Sequence, residues 1–144
     1  MYERILLATD GSDAAQPAIE HAIDLAAFCD ATLSALYVVD ASAAAAVPEA
    51  QAFTITDLLE DAGDQALDVV QALAEERDVT IDPHVRHGRA HREILTAADE
   101  LDADLIVLGT HGRSGIDRVL LGSVAARVVR QSEIPVLIKR APQT

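Results

Sequence analysis

Two apolar runs, Ile5-Leu6-Leu7-Ala8 and Leu105-Ile106-Val107-Leu108, constrain the fold most. Neither alternates with polar residues, so each is apolar on both faces, the pattern of a strand buried between two layers. The first strand is expected over Glu3–Thr9. Further strand patterns fall at Leu33–Val39 and Pro135–Lys139, and Val79–Arg86 alternates as an edge strand, with Pro83 supporting the edge position. Helical patterns separate them. Ile19, Ala22, Ile23 and Ala26 share one face of a helix reaching about Phe28, with Pro17 near its start. Leu58, Leu59, Ala62, Ala66, Val69, Val70 and Leu73 stripe a long helix over Thr54–Arg77. Gly88 turns the chain into a short helix ending near Glu100, and Gly122-Ser123 opens one containing Val124, Val128 and Val129. Most of Asp40 to Ala52, with its alanine run Ala43–Ala46 and Pro48, reads as a loop.

Strands alternating with helices specify a three-layer α/β fold: an open sheet of five parallel strands with helices on both faces. Right-handed crossovers restrict the topology, and the order 3-2-1-4-5 puts a switch point between strands one and four. Ligands bind at such a point, beyond the carboxyl ends of the strands. The two turns richest in Gly, Ser and Asp, Asp10–Ser12 and Gly109–Ser123, follow those two strands. No linker, repeat or second domain is visible, and residues 1–144 read as one domain.

Composition narrows the partners. Half of the 144 residues are hydrophobic but only 3% are aromatic, so the core is aliphatic. The net charge is −13, with 24 acidic residues against 11 basic ones, and Lys139 is the one lysine. That balance argues against nucleic acid, which needs clustered Lys and Arg. Carboxylate excess with almost no lysine also suggests adaptation to high salt, where screening relieves self-repulsion. No apolar run approaches the ~20 residues of a membrane span. The N-terminus lacks a signal-peptide layout, and the single Cys29 reads as core packing at a helix end. A soluble cytoplasmic protein is expected.

The connection after strand four carries the chemistry. Gly109, Gly112, Gly122 and Ser123 form the pattern G-x2-G-x9-G-S. Glycine permits φ > 0 and close backbone approach, and Gly122-Ser123 places free N–H groups and a hydroxyl at a helix start, which suits phosphate. It is neither a Walker A motif, which requires a lysine, nor G-x-G-x-x-G. Asp10, at the end of strand one, could accept ribose hydroxyls, or serve as a helix cap or turn residue. A metal at Asp40 would need phosphate oxygens as co-ligands. His87 and His91 are four apart with His84 nearby, but Gly88 lies between the pair and a zinc set would need further ligands. His111 has no orienting carboxylate in sequence, and Arg113 and Arg118 could pair with phosphate or stay solvated.

Together with Ala8-Thr9-Asp10-Gly11-Ser12, Tyr37-Val38-Val39-Asp40, Gly88-x5-Ile94 and Ile134-Pro135-Val136-Leu137-Ile138, this pattern resembles the nucleotide-binding subgroup of the universal stress protein family over essentially the whole chain. The resemblance implies a Rossmann-like sheet, usually dimeric, that binds ATP or AMP, with Mg²⁺ entering only alongside the phosphates. It implies that Asp10, next to Ala8 and Thr9, holds the ribose, that Val38 gives adenine a backbone contact and that Leu108 lines the adenine pocket. Gly109 would contact the ribose, and Gly112, Gly122, Ser123 and Val124 the phosphates. Ala8 stands where many members have proline. A homodimer is implied through Val136–Lys139. A regulatory nucleotide-binding protein is the expected function. The alternative is a slow Mg-dependent ATPase or phosphotransferase, for which the sequence offers a cradle but no P-loop lysine and no evident base.

Overall fold

The computed structural model describes residues 1–40, 47–110 and 122–140. Five parallel strands form one sheet in the order β3-β2-β1-β4-β5. They are β1 (Arg4–Ala8), β2 (Thr32–Val39), β3 (Ile81–His87), β4 (Leu105–Gly109) and β5 (Val136–Lys139). Helices α1 (Gln16–Cys29), α2 (Glu49–Glu76), α3 (Ala90–Glu100) and α4 (Ser123–Gln131) connect and cover them. Both the alternation and the expected strand order are observed.

The strand period of two sorts side chains into two cores. Ile5, Leu7, Leu33, Ala35, Tyr37, Val39, Leu105 and Val107 face α1 and α2, meeting Ile19, Ala22, Ile23, Leu67 and Val70. Leu6, Leu36, Ile106 and Leu108 face the opposite layer, meeting Ile94, Ala97 and Ala98 of α3 and Ala125 and Val128 of α4. The central strands are thus apolar on both sides because both sides are covered. Leu6, Leu7, Leu33, Leu36 and Ile106 are fully buried. Each contributes about 1.5–3 kcal/mol, which lets a core with few aromatics suffice.

Three helices end the same way. Asp30, Asp78 and Asp102 follow α1, α2 and α3 with φ of 55°, 56° and 53°. The next amide then closes back on the helix: Ala31 to Ala26, Val79 to Ala74 and Ala103 to Ala98, each at 2.9 Å. This is the Schellman closure, with Asp in the left-handed position usually held by glycine. Each closure delivers an apolar residue to the approach of the next strand. Asp104 then ties β4 to β1 at the amino edge: its carboxylate accepts from the Glu3 N–H at 2.9 Å, and its own N–H donates to the Arg4 carbonyl at 2.8 Å.

Helix α2 starts earlier than the periodicity predicts. Glu49–Ala52, expected as loop, form its first turn. Pro48 is the cap, and its carbonyl accepts from Gln51 and Ala52. Proline is well suited immediately before a helix because its missing N–H costs nothing there. Residues 41–46, including the alanine run, lie outside the described residues. Strand β3 covers Ile81–His87, two residues later at its start and one at its end than the alternation predicts, because Asp78 and Val79 are used in the helix closure.

Candidate nucleotide site

The carboxyl edge of the sheet is stepped. Ala8, the last residue of β1, pairs with Leu36, and β2 continues three residues further, to Val39. The Thr9 N–H still donates to the Leu36 carbonyl at 3.0 Å before the chain leaves the sheet. On the other side β1 pairs with β4, as far as Leu7 with Val107, and β4 continues through Leu108 to Gly109. The helices that follow β1 and β4, α1 and α4, cover opposite faces of the sheet, so the carboxyl ends of β1 and β4, beside the overhang of β2, form the switch point at which such folds hold a crevice.

Four of the expected site residues share one side of that edge. Ala8 of β1, Val38 of β2, Leu108 of β4 and Val124 of α4 all pack with the core beneath α3 and α4. Ala8, Val38 and Val124 are only half-buried, so the apolar layer stays accessible at its carboxyl edge. Gly109 ends β4 in strand geometry, and the positive φ values among described glycines belong to Gly11 (78°) and Gly88 (148°). What Gly109 brings to the crevice is its missing side chain.

The turn after β1 is knotted by its own side chains. The Asp10 carboxylate accepts from the Ser12 N–H at 2.9 Å and from the Ser12 hydroxyl at 2.6 Å, and Thr9 Oγ1 accepts from the Gly11 N–H at 3.2 Å. Asp10 is therefore the Asx-turn residue that the sequence allowed, with its carboxylate held at the strand end rather than capping a long helix. A single 3₁₀ turn, Asp13–Ala15, follows before α1.

The start of α4 is the polar end of the candidate site. Gly122 is its cap with φ −62° and ψ 160°, and no side chain caps the helix. The Gly122 N–H donates to the carbonyl of Thr110, a buried residue just past β4, at 2.6 Å. The Ser123, Val124 and Ala125 amides lie in the first turn, where helix geometry gives them no intrahelical acceptor. An anion there gains from both those amides and the helix dipole, at about 0.3–1 kcal/mol per interaction. Ser123 is exposed, so its hydroxyl is accessible. Gly112 and Arg113, with His111 and Arg118, lie outside the described residues.

The histidines separate. His84 Nε2 lies 2.8 Å from Asp82, and His87, in β3, lies 2.8 Å from Glu60 of α2. His91 lies on α3 and is buried. Among the described residues no group of three or more His, Cys, Asp or Glu side chains could hold a metal ion. Sequence reasoning missed Arg86. From the end of β3 it donates to Glu93 at 2.9 Å and to Glu100 at 2.7 Å, clamping α3 along its length. Those hydrogen bonds raise the Arg86 pKa, and the one to Arg86 lowers that of Glu100. An Arg-x6-Glu-x6-Glu spacing running from strand into helix was the available signal.

The family model of the universal stress proteins matches residues 1–140. The chain belongs to the universal stress protein family. It is 42% identical to universal stress protein MJ0531 of Methanocaldococcus jannaschii, over 99% of this chain and 85% of that one. Its fold superposes on the solved structure of MJ0577 from the same archaeon with a TM-score of 0.86 at 27% identity, covering 100% of this chain and 99% of that one. A universal stress protein solved in complex with cAMP matches with a TM-score of 0.75 at 30% identity, over 98% and 99% of the two chains. The family's fold and the five-strand order observed here agree. No described helix is long and apolar enough to cross a membrane.

Proposed function

We propose that this universal stress protein is a regulatory adenine-nucleotide-binding protein. It binds ATP or AMP across the carboxyl edge of β1 and β4, in the cytoplasm, as a homodimer. The observation that carries the reading is the α4 N-terminus, an uncapped first turn held beside the end of β4 by the Gly122–Thr110 hydrogen bond. The phosphates lie against Gly122, Ser123 and Val124, with Gly112 and Arg113 completing the cradle. The base lies over the apolar edge formed by Ala8, Val38 and Leu108, and the ribose between Thr9, Asp10 and Gly109. Mg²⁺ accompanies the phosphates. The cAMP complex of a 30% identical relative supports an adenine nucleotide as ligand. The dimer forms through β5, an edge strand of only four half-buried residues. The other edge, β3, contains Pro83, which blunts it against pairing.

The test is calorimetric titration of ATP and AMP into the wild-type protein, Asp10→Ala and Gly122→Val, made separately. The backbone of Gly122 is one that valine adopts without strain, so a loss of affinity with an intact fold reports the site. Wild-type affinity in both variants would show the assignment wrong.

A further inference from the structure

His91 is buried, at 8% exposure, and among the described residues its imidazole has no hydrogen-bonding partner. Leaving a buried polar group unpaired costs about 1–3 kcal/mol, so such a group invites a partner beyond the described residues, and a bound ligand can supply one. Its position indicates which one. His91 lies in the first turn of α3, three and seven residues before Ile94 and Ala98, so it shares the face they pack against the sheet. Helix α3 begins just after β3 ends, which places that first turn at the carboxyl edge. It packs on β2 and on α4. On the same side of the sheet, Val38 lies two residues beyond Leu36 toward that edge. His91 therefore lies a turn beyond Ile94, and Val38 two residues beyond Leu36, both toward the carboxyl end of the core that Ile94 and Leu36 share.

The ring's state fits a base better than a phosphate. Burial, then the charges of Arg127 on α4 and of Arg92 and Arg89 beside it, hold the imidazole below the usual histidine range. The neutral ring has one donor and one acceptor, matching a purine edge, which offers both. Phosphate offers acceptors only and would favour the protonated form. We propose that His91 is a further ligand-contacting residue of the site, hydrogen-bonding the base edge of the bound adenine nucleotide. This rests on the adenine-nucleotide reading above.

The test titrates ATP and inorganic tripolyphosphate into the wild-type protein, His91→Leu, His91→Gln and Gly122→Val. His91→Leu weakens ATP by about tenfold, a loss of about 1.4 kcal/mol, and leaves tripolyphosphate unchanged. His91→Gln, which keeps a donor and an acceptor, stays within about threefold of wild type. Gly122→Val weakens both ligands. Wild-type ATP affinity in His91→Leu, or an equal loss for tripolyphosphate, overturns the role of His91 while leaving the nucleotide site standing. Unchanged ATP affinity in Gly122→Val, or no ATP binding by the wild type, overturns the site itself. Should His91→Leu fail to fold, the ¹⁵N resonances of the wild-type His91 ring decide: ATP shifts them and tripolyphosphate does not. No shift at saturating ATP refutes the contact.

Discussion

The Gly122 N–H donates to the Thr110 carbonyl at 2.6 Å, joining the start of α4 to the end of β4. The bond fixes where the first-turn amides of α4 stand relative to the crevice. Gly122 has φ −62°, a value proline also holds, so proline deletes the N–H without straining φ at this position. Gly122→Pro should unfold about 1 kcal/mol more easily than Gly122→Ala, which retains the donor. Urea denaturation of the pair measures the difference, and equal midpoints would show that the bond does not contribute.

Gly63 lies buried in the middle of α2, and a Cβ built there would stand 2.6 Å from Cδ1 of the Tyr37 ring. Glycine in a helix interior costs about 1 kcal/mol relative to alanine, yet here it lets α2 approach β2. Tyr37 is itself buried at 3% exposure, so the ring has little room to retreat. Overpacking costs typically about 1–3 kcal/mol, which outweighs the propensity gain. Gly63→Ala should lower the melting temperature, whereas propensity alone predicts a rise.

His91 makes stability depend on pH. In the unfolded chain its pKa is the ordinary 6.5, and in the fold it is lower. The unfolded state therefore binds the proton first, and stability is whole above 6.5 and lost as pH falls toward the folded value. Denaturation from about pH 7.5 down to about pH 5.5 should cost the wild type more than His91→Leu, which has no imidazole to charge. Parallel pH profiles would contradict this.

Much of the fold was legible because it is encoded locally. Apolar runs such as Ile5–Ala8 are strands buried on both faces, and the alternation with helices leads to the observed order with β1 beside β4. Less legible were features that depend on tertiary partners. Gly63 reads as a weak helix residue until Tyr37 is seen against it. Arg86 reads as a surface charge until Glu93 and Glu100 close on it. Gly88 already separates His91 from His87 in the sequence, and one belongs to a helix and the other to a strand bound to Glu60, but the burial of His91 shows only once the helix is packed. The helix ends fall within a residue of those expected, but their closures were not legible, because Asp30, Asp78 and Asp102 do work that sequence rules assign to glycine.

A net charge of −13 repels itself, and salt screens exposed charges over about 8–10 Å at physiological strength and less in brine. The melting temperature should therefore rise as KCl goes from low concentration to molar. A flat profile would remove the argument for adaptation to high salt.

The central claim is that an adenine nucleotide lies across the carboxyl edge of β1 and β4 with its phosphates at the start of α4. Amide NMR of the ¹⁵N-labelled protein under addition of ATP tests it most directly. Shifts should concentrate at Thr9, Asp10, Val38, Gly109 and Ser123–Ala125, residues brought to one edge of the sheet by three strands and a helix. Shifts clustered elsewhere, or none at saturating ATP, would contradict it.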